Sequence, residues 1–148
     1  MKKILPPQLF FIFIILMGII NWSFSFTKYI LYPFNLVGVF FLFFGILIAI
    51  VNKKLFIKKE TNVNTFGDPD KLITEGFYKY SRNPMYLGFV VALLGITILF
   101  GSGISSVILL VIFVLIVDRW YIVFEENLML KHFGKEYIKY CEDTRKWI

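Results

Sequence analysis

The chain has 148 residues, of which 58% are hydrophobic and 20% aromatic, and its formal net charge is +6. Soluble domains of this size contain fewer apolar residues and interrupt their apolar runs more often, whereas a bilayer core of about 30 Å needs roughly 20 apolar residues as helix. The basic residues flank the apolar segments instead of forming one stripe, which excludes a nucleic-acid surface and is typical of membrane topology. The composition predicts a single-domain, all-α integral membrane protein.

The first half of the chain contains two apolar segments that predict transmembrane helices at about 9–26 and 34–51. The basic start Met1-Lys2-Lys3 before an apolar run also fits a signal peptide, but no small-x-small cleavage site follows, so a retained helix is favoured. Pro33 suits the first turn of the second helix, where its missing N–H costs nothing. The basic sequence Asn52-Lys53-Lys54 predicts the end of that helix.

A polar connection from Asn52 to Asn83 separates the second and third apolar segments. It is too long for an idle loop in so small a protein, which favours a functional role. Asn83 and Pro84 form a helix start, and the third span is predicted at about 85–100. Three small residues of this span share one face and predict close packing against a neighbouring helix; they are Gly88, Ala92 and Gly95.

The sequence Gly101-Ser102-Gly103 predicts a tight break, so the third helix and a fourth at about 104–124 form a hairpin. At 1.5 Å per residue, Asp118 lies roughly 20 Å along the fourth helix. We therefore expect Asp118 and Arg119 to form an adjacent ion pair near the membrane boundary, where charges are costly. An amphipathic interfacial helix should follow, because apolar residues recur there at helical spacing; they are Leu130, Phe133, Tyr137 and Cys141.

The distribution of basic residues predicts the topology. They concentrate at the N-terminus, in the connection 52–82 and in the tail from Lys131, while the other two connections carry only Lys28. Four spans place the three basic segments on the same side, which is predicted to be the cytoplasm. Two polar stretches, 71–88 and 118–140, should then meet at that membrane face.

No complete catalytic set is present in the sequence. The single histidine, His132, argues against a Ser-His-Asp triad and His-rich metal sites, and the chain lacks H-E-x-x-H, P-loop and dinucleotide motifs. No metal site is expected, and the single cysteine, Cys141, excludes an internal disulfide. The adjacent carboxylates of Glu125 and Glu126 need a cationic partner at the lipid boundary, which Arg82, Arg119 or a bound cation can supply. A reaction here must rely on a bound cofactor.

Three motifs in the second half of the chain resemble the isoprenylcysteine carboxyl methyltransferase and phospholipid methyltransferase family. Each motif begins or ends a membrane helix, whereas the first two helices match only as apolar spans. The motifs are Leu72-Ile73-Thr74-x-Gly76-x-Tyr78, Arg82-Asn83-Pro84-Met85-Tyr86-Leu87-Gly88, and Glu125-Glu126 followed by Phe133-Gly134-x-x-Tyr137-x-x-Tyr140.

The resemblance implies an S-adenosylmethionine-dependent methyltransferase in the membrane that acts on a lipid or lipophilic substrate. Arg82 and Glu126 are the implied catalytic residues: Arg82 would hold the site or the cofactor carboxylate, and Glu126 would accept a proton from an amine. Arg119 and Tyr121 would face the methyl acceptor. The implied cofactor-binding residues are Leu72, Ile73, Tyr78, Asn83, Pro84, Met85, Tyr86 and Glu125. Within this set, Glu125 would pair with the positively charged end of the cofactor.

Two departures from the family pattern leave the acceptor open. Isoprenylcysteine enzymes of this family typically have a histidine at the place of Asn83, and an arginine at the place of Tyr121, where this chain has Arg119 two residues earlier. Prenylated cysteine, phospholipid amine, small thiol and hydrophobic alcohol all remain possible acceptors, and the oligomeric state is open.

Two other classes of protein are compatible with the same sequence. In a non-catalytic accessory or assembly protein, the motif residues would only cap and pack helices. A small transporter subunit is disfavoured, because the apolar segments contain almost no polar residue before Asp118 that could line a pathway.

Overall fold

The computed structural model describes residues 4–23, 28–62 and 65–148, and within them all regular secondary structure is helical. The all-α prediction is therefore confirmed. A π-helical turn, Val117–Tyr121, joins the fourth helix to the fifth, and 3-10 turns lie at Phe34–Leu36 and Gly76–Lys79. The helices are α1 Pro6–Ser23, α2 Val37–Lys58, α3 Pro84–Leu99, α4 Ile104–Ile116, α5 Ile122–Phe133 and α6 Lys135–Asp143. Residues 24–26, the end of the predicted first span, lie outside the described residues.

Three of the described helical segments are long and apolar enough to cross a membrane. They are Pro6–Ser23, Phe34–Lys58 and Ile104–Phe133, and α3 is a shorter apolar helix. Large apolar side chains on these segments are exposed, as expected for surfaces that face lipid. The number of four spans stays a prediction.

The second helix continues past the basic residues that were expected to end it. The prediction that α2 ends at Asn52–Lys54 is wrong, since the helix runs to Lys58. Asn52 is fully buried, and its amide nitrogen donates a hydrogen bond to the carbonyl oxygen of Ile48, 2.8 Å away, inside the helix. Lysine is a good helix former, so a change to basic composition need not end a helix.

Glycines let α3 pack directly on the backbone of α2. A Cβ added at Gly88 would lie 2.6 Å from the carbonyl oxygen of Gly45, and one added at Gly95 would lie 2.6 Å from that of Gly38. Ala92 lies on the same face and is completely buried. The predicted small-residue face is therefore confirmed, and it places Gly88, near the start of α3, beside Gly45 and Ala49 of α2.

The remaining membrane helices pack on α3 through large apolar side chains. Phe13 of α1 makes an edge-to-face contact with Phe113 of α4, at 5.3 Å between ring centroids. The break between α3 and α4 is held by the Gly101 carbonyl, which accepts hydrogen bonds from the N–H groups of Tyr29 and Ile30. Tyr86 at the start of α3 thereby lies beside Tyr121 of the π-helical turn that leads into α5.

The C-terminal region is divided at Gly134. The expected single amphipathic helix through Leu130 and Cys141 is wrong, because Gly134 adopts a φ of +48° between α5 and α6. A left-handed glycine is a common helix end. On α6, Tyr137 and Tyr140 are buried, while Ile138 and Lys139 between them are exposed.

Candidate active site

The two polar stretches meet through a hydrogen bond between Tyr86 and Glu125. Tyr86 lies in the first turn of α3 and Glu125 in the first turn of α5, and the tyrosine hydroxyl donates to the Glu125 carboxylate at 2.7 Å. The ring of Tyr121 lies beside that of Tyr86, with centroids 6.4 Å apart. The expected contact between residues 71–88 and 118–140 is confirmed.

The connection after α2 lies over this pair. The Thr65 side chain interacts with both Tyr86 and Glu125. Phe66 packs against the rings of Tyr121 and Phe124, at centroid distances of 6.2 and 5.4 Å. The long connection therefore contributes Thr65 and Phe66 to the site.

Arg82 binds Glu126 and the chain beyond α6. Its Nε and Nη2 donate to the same oxygen of Glu126, at 3.3 and 2.8 Å. Its Nη1 donates to the carbonyl oxygens of Thr144 and Cys141, at 2.8 and 3.2 Å. Partial burial opposes the charged form, but the hydrogen bond and charge of Glu126 raise the pKa of Arg82 above its ordinary value. Arg82 is thus the cationic partner of Glu126, whereas the Glu125 carboxylate accepts a hydrogen bond from Tyr86.

The C-terminal tail links the start of α3 to the π-helical turn. The side-chain amide of Asn83 donates to the carbonyl oxygen of Lys146 at 3.0 Å, so Asn83 occupies the N-cap position without capping the helix. The Lys146 ammonium lies 2.8 Å from the Asp118 carboxylate, and the Trp147 indole N–H donates to the same carboxylate at 2.9 Å. The tail therefore connects Asn83, before α3, with Asp118 of the π-helical turn.

Arg119 and Tyr121 lie in different environments. The expected Asp118–Arg119 pair is loose, with 3.7 Å between Nε and the carboxylate, and the Arg119 side chain is 82% exposed. Tyr121 is buried in the core, and its hydroxyl donates to the carbonyl oxygen of Ile4 at 2.8 Å. Tyr121 is brought to the site beside Tyr86, whereas Arg119 is not.

The first motif lies beside a cavity. Ile73 and Tyr78 are buried, and Leu72 lines a cavity of about 390 Å³ together with Thr74, Tyr140 and Thr144. The Tyr140 hydroxyl donates to the Tyr78 carbonyl oxygen at 2.7 Å. Burial raises the pKa of both tyrosines. The volume lies in the range of small-molecule pockets.

Pro84 and Met85 complete the second motif. Pro84 is buried at the first position of α3, and Met85 is half-buried beside it. These two residues form the start of α3, between Arg82 and Tyr86.

Four residues of the site were not assigned a role from the sequence: Thr65, Tyr140, Lys146 and Trp147. Tyr140 belongs to a motif that the resemblance quotes, so that signal was available. The other three act through contacts with residues far away in the chain, and no local pattern marks them.

The fold and the site define a helical membrane protein whose polar centre is assembled at the ends of its apolar helices. A sequence profile of the phospholipid methyltransferase family matches residues 34–136, and the chain belongs to this family. The resemblance drawn from the motifs is therefore confirmed.

Curated plant proteins are similar to part of the chain. Protein-S-isoprenylcysteine O-methyltransferase B from Arabidopsis thaliana is 32% identical over 75 residues, which is 49% of this chain and 36% of that protein. Probable protein-S-isoprenylcysteine O-methyltransferases from Oryza sativa subsp. indica and subsp. japonica are each 32% identical over 80 residues, covering 52% of this chain and 40% of theirs. The match thus spans less than half the length of these relatives.

Proposed function

We propose that this protein is a membrane-embedded methyltransferase that uses S-adenosylmethionine to methylate a lipid or lipophilic acceptor. The observation that carries the proposal is the Tyr86–Glu125 hydrogen bond, which joins the second and third family motifs at 2.7 Å. The family membership and the methyltransferase names of the plant relatives support methyl transfer.

The residues present fit a cationic cofactor. Glu125 offers a half-buried carboxylate, and Tyr86 and Tyr121 offer aromatic faces beside it. A carboxylate pairs with an ammonium group, and aromatic faces stabilise a sulfonium by cation–π contact. When bound, the cofactor supplies the reactive methyl group. Binding is assigned to the residues implied by the resemblance, namely Leu72, Ile73, Tyr78, Asn83, Pro84, Met85, Tyr86 and Glu125.

The protein's contribution is then to bind, orient and exclude water. Holding two reactants in line can lower a barrier by about 7–11 kcal/mol. Arg82 and Glu126 are assigned to positioning the site, because the Arg82 guanidinium donates hydrogen bonds to Glu126 and to two backbone carbonyls. With one Glu126 oxygen held in this way, an acceptor that needs no general base suits the site best. A carboxylate or a thiolate meets that condition.

The site is assigned to the cytoplasmic side. The basic residues of the connection 52–82 and of the tail lie on the same side as the Tyr86–Glu125 pair in the proposed four-span topology. The lipophilic acceptor would then enter from the membrane, near Tyr121. Arg119 is exposed on the same π-helical turn as Tyr121, and it would contact only the polar end of the acceptor.

Cofactor binding tests the proposal. Calorimetry on the purified protein in phosphatidylcholine nanodiscs should detect S-adenosylmethionine binding, and Glu125→Gln should weaken it about tenfold or more, as expected for a lost charge-assisted contact. Glu142→Gln removes an equal charge at an exposed position of α6 and should leave the affinity unchanged.

Incubation with host lipid extract and methyl-labelled cofactor would then identify the acceptor. A folded protein that does not bind the cofactor would contradict the enzyme and favour the accessory protein. An equal effect of the Glu125 and Glu142 variants would reject the assigned site.

A further inference from the structure

A second large cavity lies outside the proposed active site, between the end of α2 and the 3-10 turn Gly76–Lys79. Its volume is about 630 Å³, and we name it the α2 cleft. Its apolar lining includes Val51, Leu55 and Phe77, and its polar lining includes three lysines, Lys54, Lys58 and Lys79. None of its lining residues is among those assigned to the cofactor.

The lysines of the α2 cleft are available to an anion. Within the residues that the structure describes, the ammonium groups of Lys54, Lys58 and Lys79 make neither a salt bridge nor a hydrogen bond. The nearby acid is Glu75, which pairs with Lys59 at 2.6 Å. The Lys59 hydrogen bond is the main cause that lowers the pKa of Glu75, and the charges of Lys58 and Lys79 add to it. Three lysines thus line the cleft without a bonded carboxylate, and the Glu75 carboxylate is already paired with Lys59.

An apolar stripe of α2 leads directly into these lysines. Residues at alternating spacings of four and three share one helix face, and here they run from the first turn of α2 to its basic end. The apolar members are exposed by 41–66%. They are Phe40, Phe44, Leu47 and Val51, and Lys54 and Lys58 continue the series.

The stripe has the length and polarity of a lipid. From Phe40 to Lys54 the helix rises roughly 21 Å at 1.5 Å per residue. An acyl chain can lie along the exposed apolar side chains while a headgroup reaches the lysines, whose stems also cover apolar surface. A soluble anion would use only the basic half of this surface. Basic pockets beside membrane helices are suited to anionic headgroups.

We propose that the α2 cleft binds a membrane phospholipid with an anionic headgroup, whose phosphate is held by Lys54, Lys58 and Lys79 and whose chain lies on the α2 stripe. The lipid comes from the leaflet at this end of α2. Lys79 also lines the smaller cavity next to Tyr140, so an occupied cleft would adjoin the wall of the proposed cofactor site. The proposal does not depend on methyl transfer.

Photo-crosslinking tests the site directly. The full chain would be placed in phosphatidylcholine nanodiscs with a trace of photoreactive phosphatidylglycerol, and the labelled peptides mapped by mass spectrometry. Labelling should fall on α2 and residues 76–80, and unlabelled phosphatidylglycerol should compete about tenfold better than phosphatidylcholine, given the attraction of several lysines for an anionic lipid. Inorganic phosphate should not compete.

Variants separate the cleft from general surface charge. Changing Lys54, Lys58 and Lys79 together to Gln should reduce labelling about tenfold. A matched control changes the exposed Lys53, Lys131 and Lys135 to Gln and should retain it. Val51→Trp fills the cleft without altering charge, at a side chain that is 41% exposed, and should also reduce labelling.

Three results would overturn the proposal: labelling spread evenly over the membrane helices, equal loss in the control triple variant, or full labelling of Val51→Trp. Because no cofactor or methyl acceptor is present in the assay, each result is independent of the enzyme assignment.

Discussion

The Tyr86 hydroxyl donates a 2.7 Å hydrogen bond to Glu125 across 39 residues of sequence, and this bond joins the start of α3 to the start of α5. Adjacent to it, Arg82 and Glu126 form a second link between the same two segments, at 2.8 Å. The first link joins two residues of the proposed cofactor site, and the second extends through Arg82 to the C-terminal tail. The variants below should therefore affect different measurements.

Tyr86→Phe should weaken cofactor binding with little loss of stability. The substitution keeps the aromatic ring but removes the hydroxyl that orients the Glu125 carboxylate. A hydrogen bond to a charged group contributes about 1.5–3 kcal/mol, which corresponds to a loss of affinity of about tenfold or more by calorimetry. Tyr29→Phe, at a side chain that is 69% exposed, is the matched control. Unchanged affinity in Tyr86→Phe would show that the hydroxyl does not orient the carboxylate for binding.

Arg82→Lys should instead destabilise the fold. Lysine keeps the charge but cannot reach Glu126 and the carbonyls of Thr144 and Cys141 together, because it lacks the planar fork of arginine. Hydrogen bonds of charged groups contribute about 1.5–3 kcal/mol to stability. Because the Arg82 side chain is only 14% exposed, we expect the substitution to lower the free energy of unfolding by an amount within that range.

Thermal unfolding in detergent measures this effect. Arg145→Lys makes the same chemical change at an exposed side chain and should leave the midpoint unaltered. A midpoint for Arg82→Lys that equals the Arg145→Lys value would show that the guanidinium contacts do not stabilise the protein.

Some of this structure could be predicted from local pattern. The small face of Gly88, Ala92 and Gly95 follows from helical spacing alone, and it packs on α2 as expected. The approach of Tyr86 to Glu125 followed from motifs that end or begin membrane helices. Such features depend on residues that are close in sequence or on segments whose ends a bilayer aligns.

Other features depend on distant partners and were missed. Adjacent residues on a helix point in different directions, so Asp118 binds Lys146 and Trp147 instead of its neighbour Arg119. No spacing rule connects a tail residue to a residue 28 positions away. The helix end at Gly134 is a different case, because a glycine after basic residues is a recognisable stop signal.

Gly88→Ala should disrupt the packing of α3 on α2. The added Cβ would lie 2.6 Å from the Gly45 carbonyl oxygen, a backbone atom that cannot move alone. Overpacking of this kind costs about 1–3 kcal/mol. Gly18→Ala is the matched control, because a Cβ there meets no heavy atom within 4 Å. A lower unfolding midpoint for Gly88→Ala than for Gly18→Ala is expected, and equal midpoints would contradict the close contact.

Asp118→Asn should loosen the tail. Asparagine retains an oxygen for the Trp147 N–H but loses the charge that holds the Lys146 ammonium at 2.8 Å. The Asp118 side chain is 23% exposed, so screening reduces the loss to about 1 kcal/mol. Limited proteolysis should then cleave the tail faster at Arg145 or Lys146. Arg119→Gln removes the loosely paired neighbour, which is 82% exposed, and should leave cleavage unchanged.

Because the Lys146 carbonyl also holds Asn83 at 3.0 Å, a freed tail should weaken cofactor binding in Asp118→Asn alone. Faster cleavage with unaltered cofactor affinity would show that the tail supports the fold but not the site.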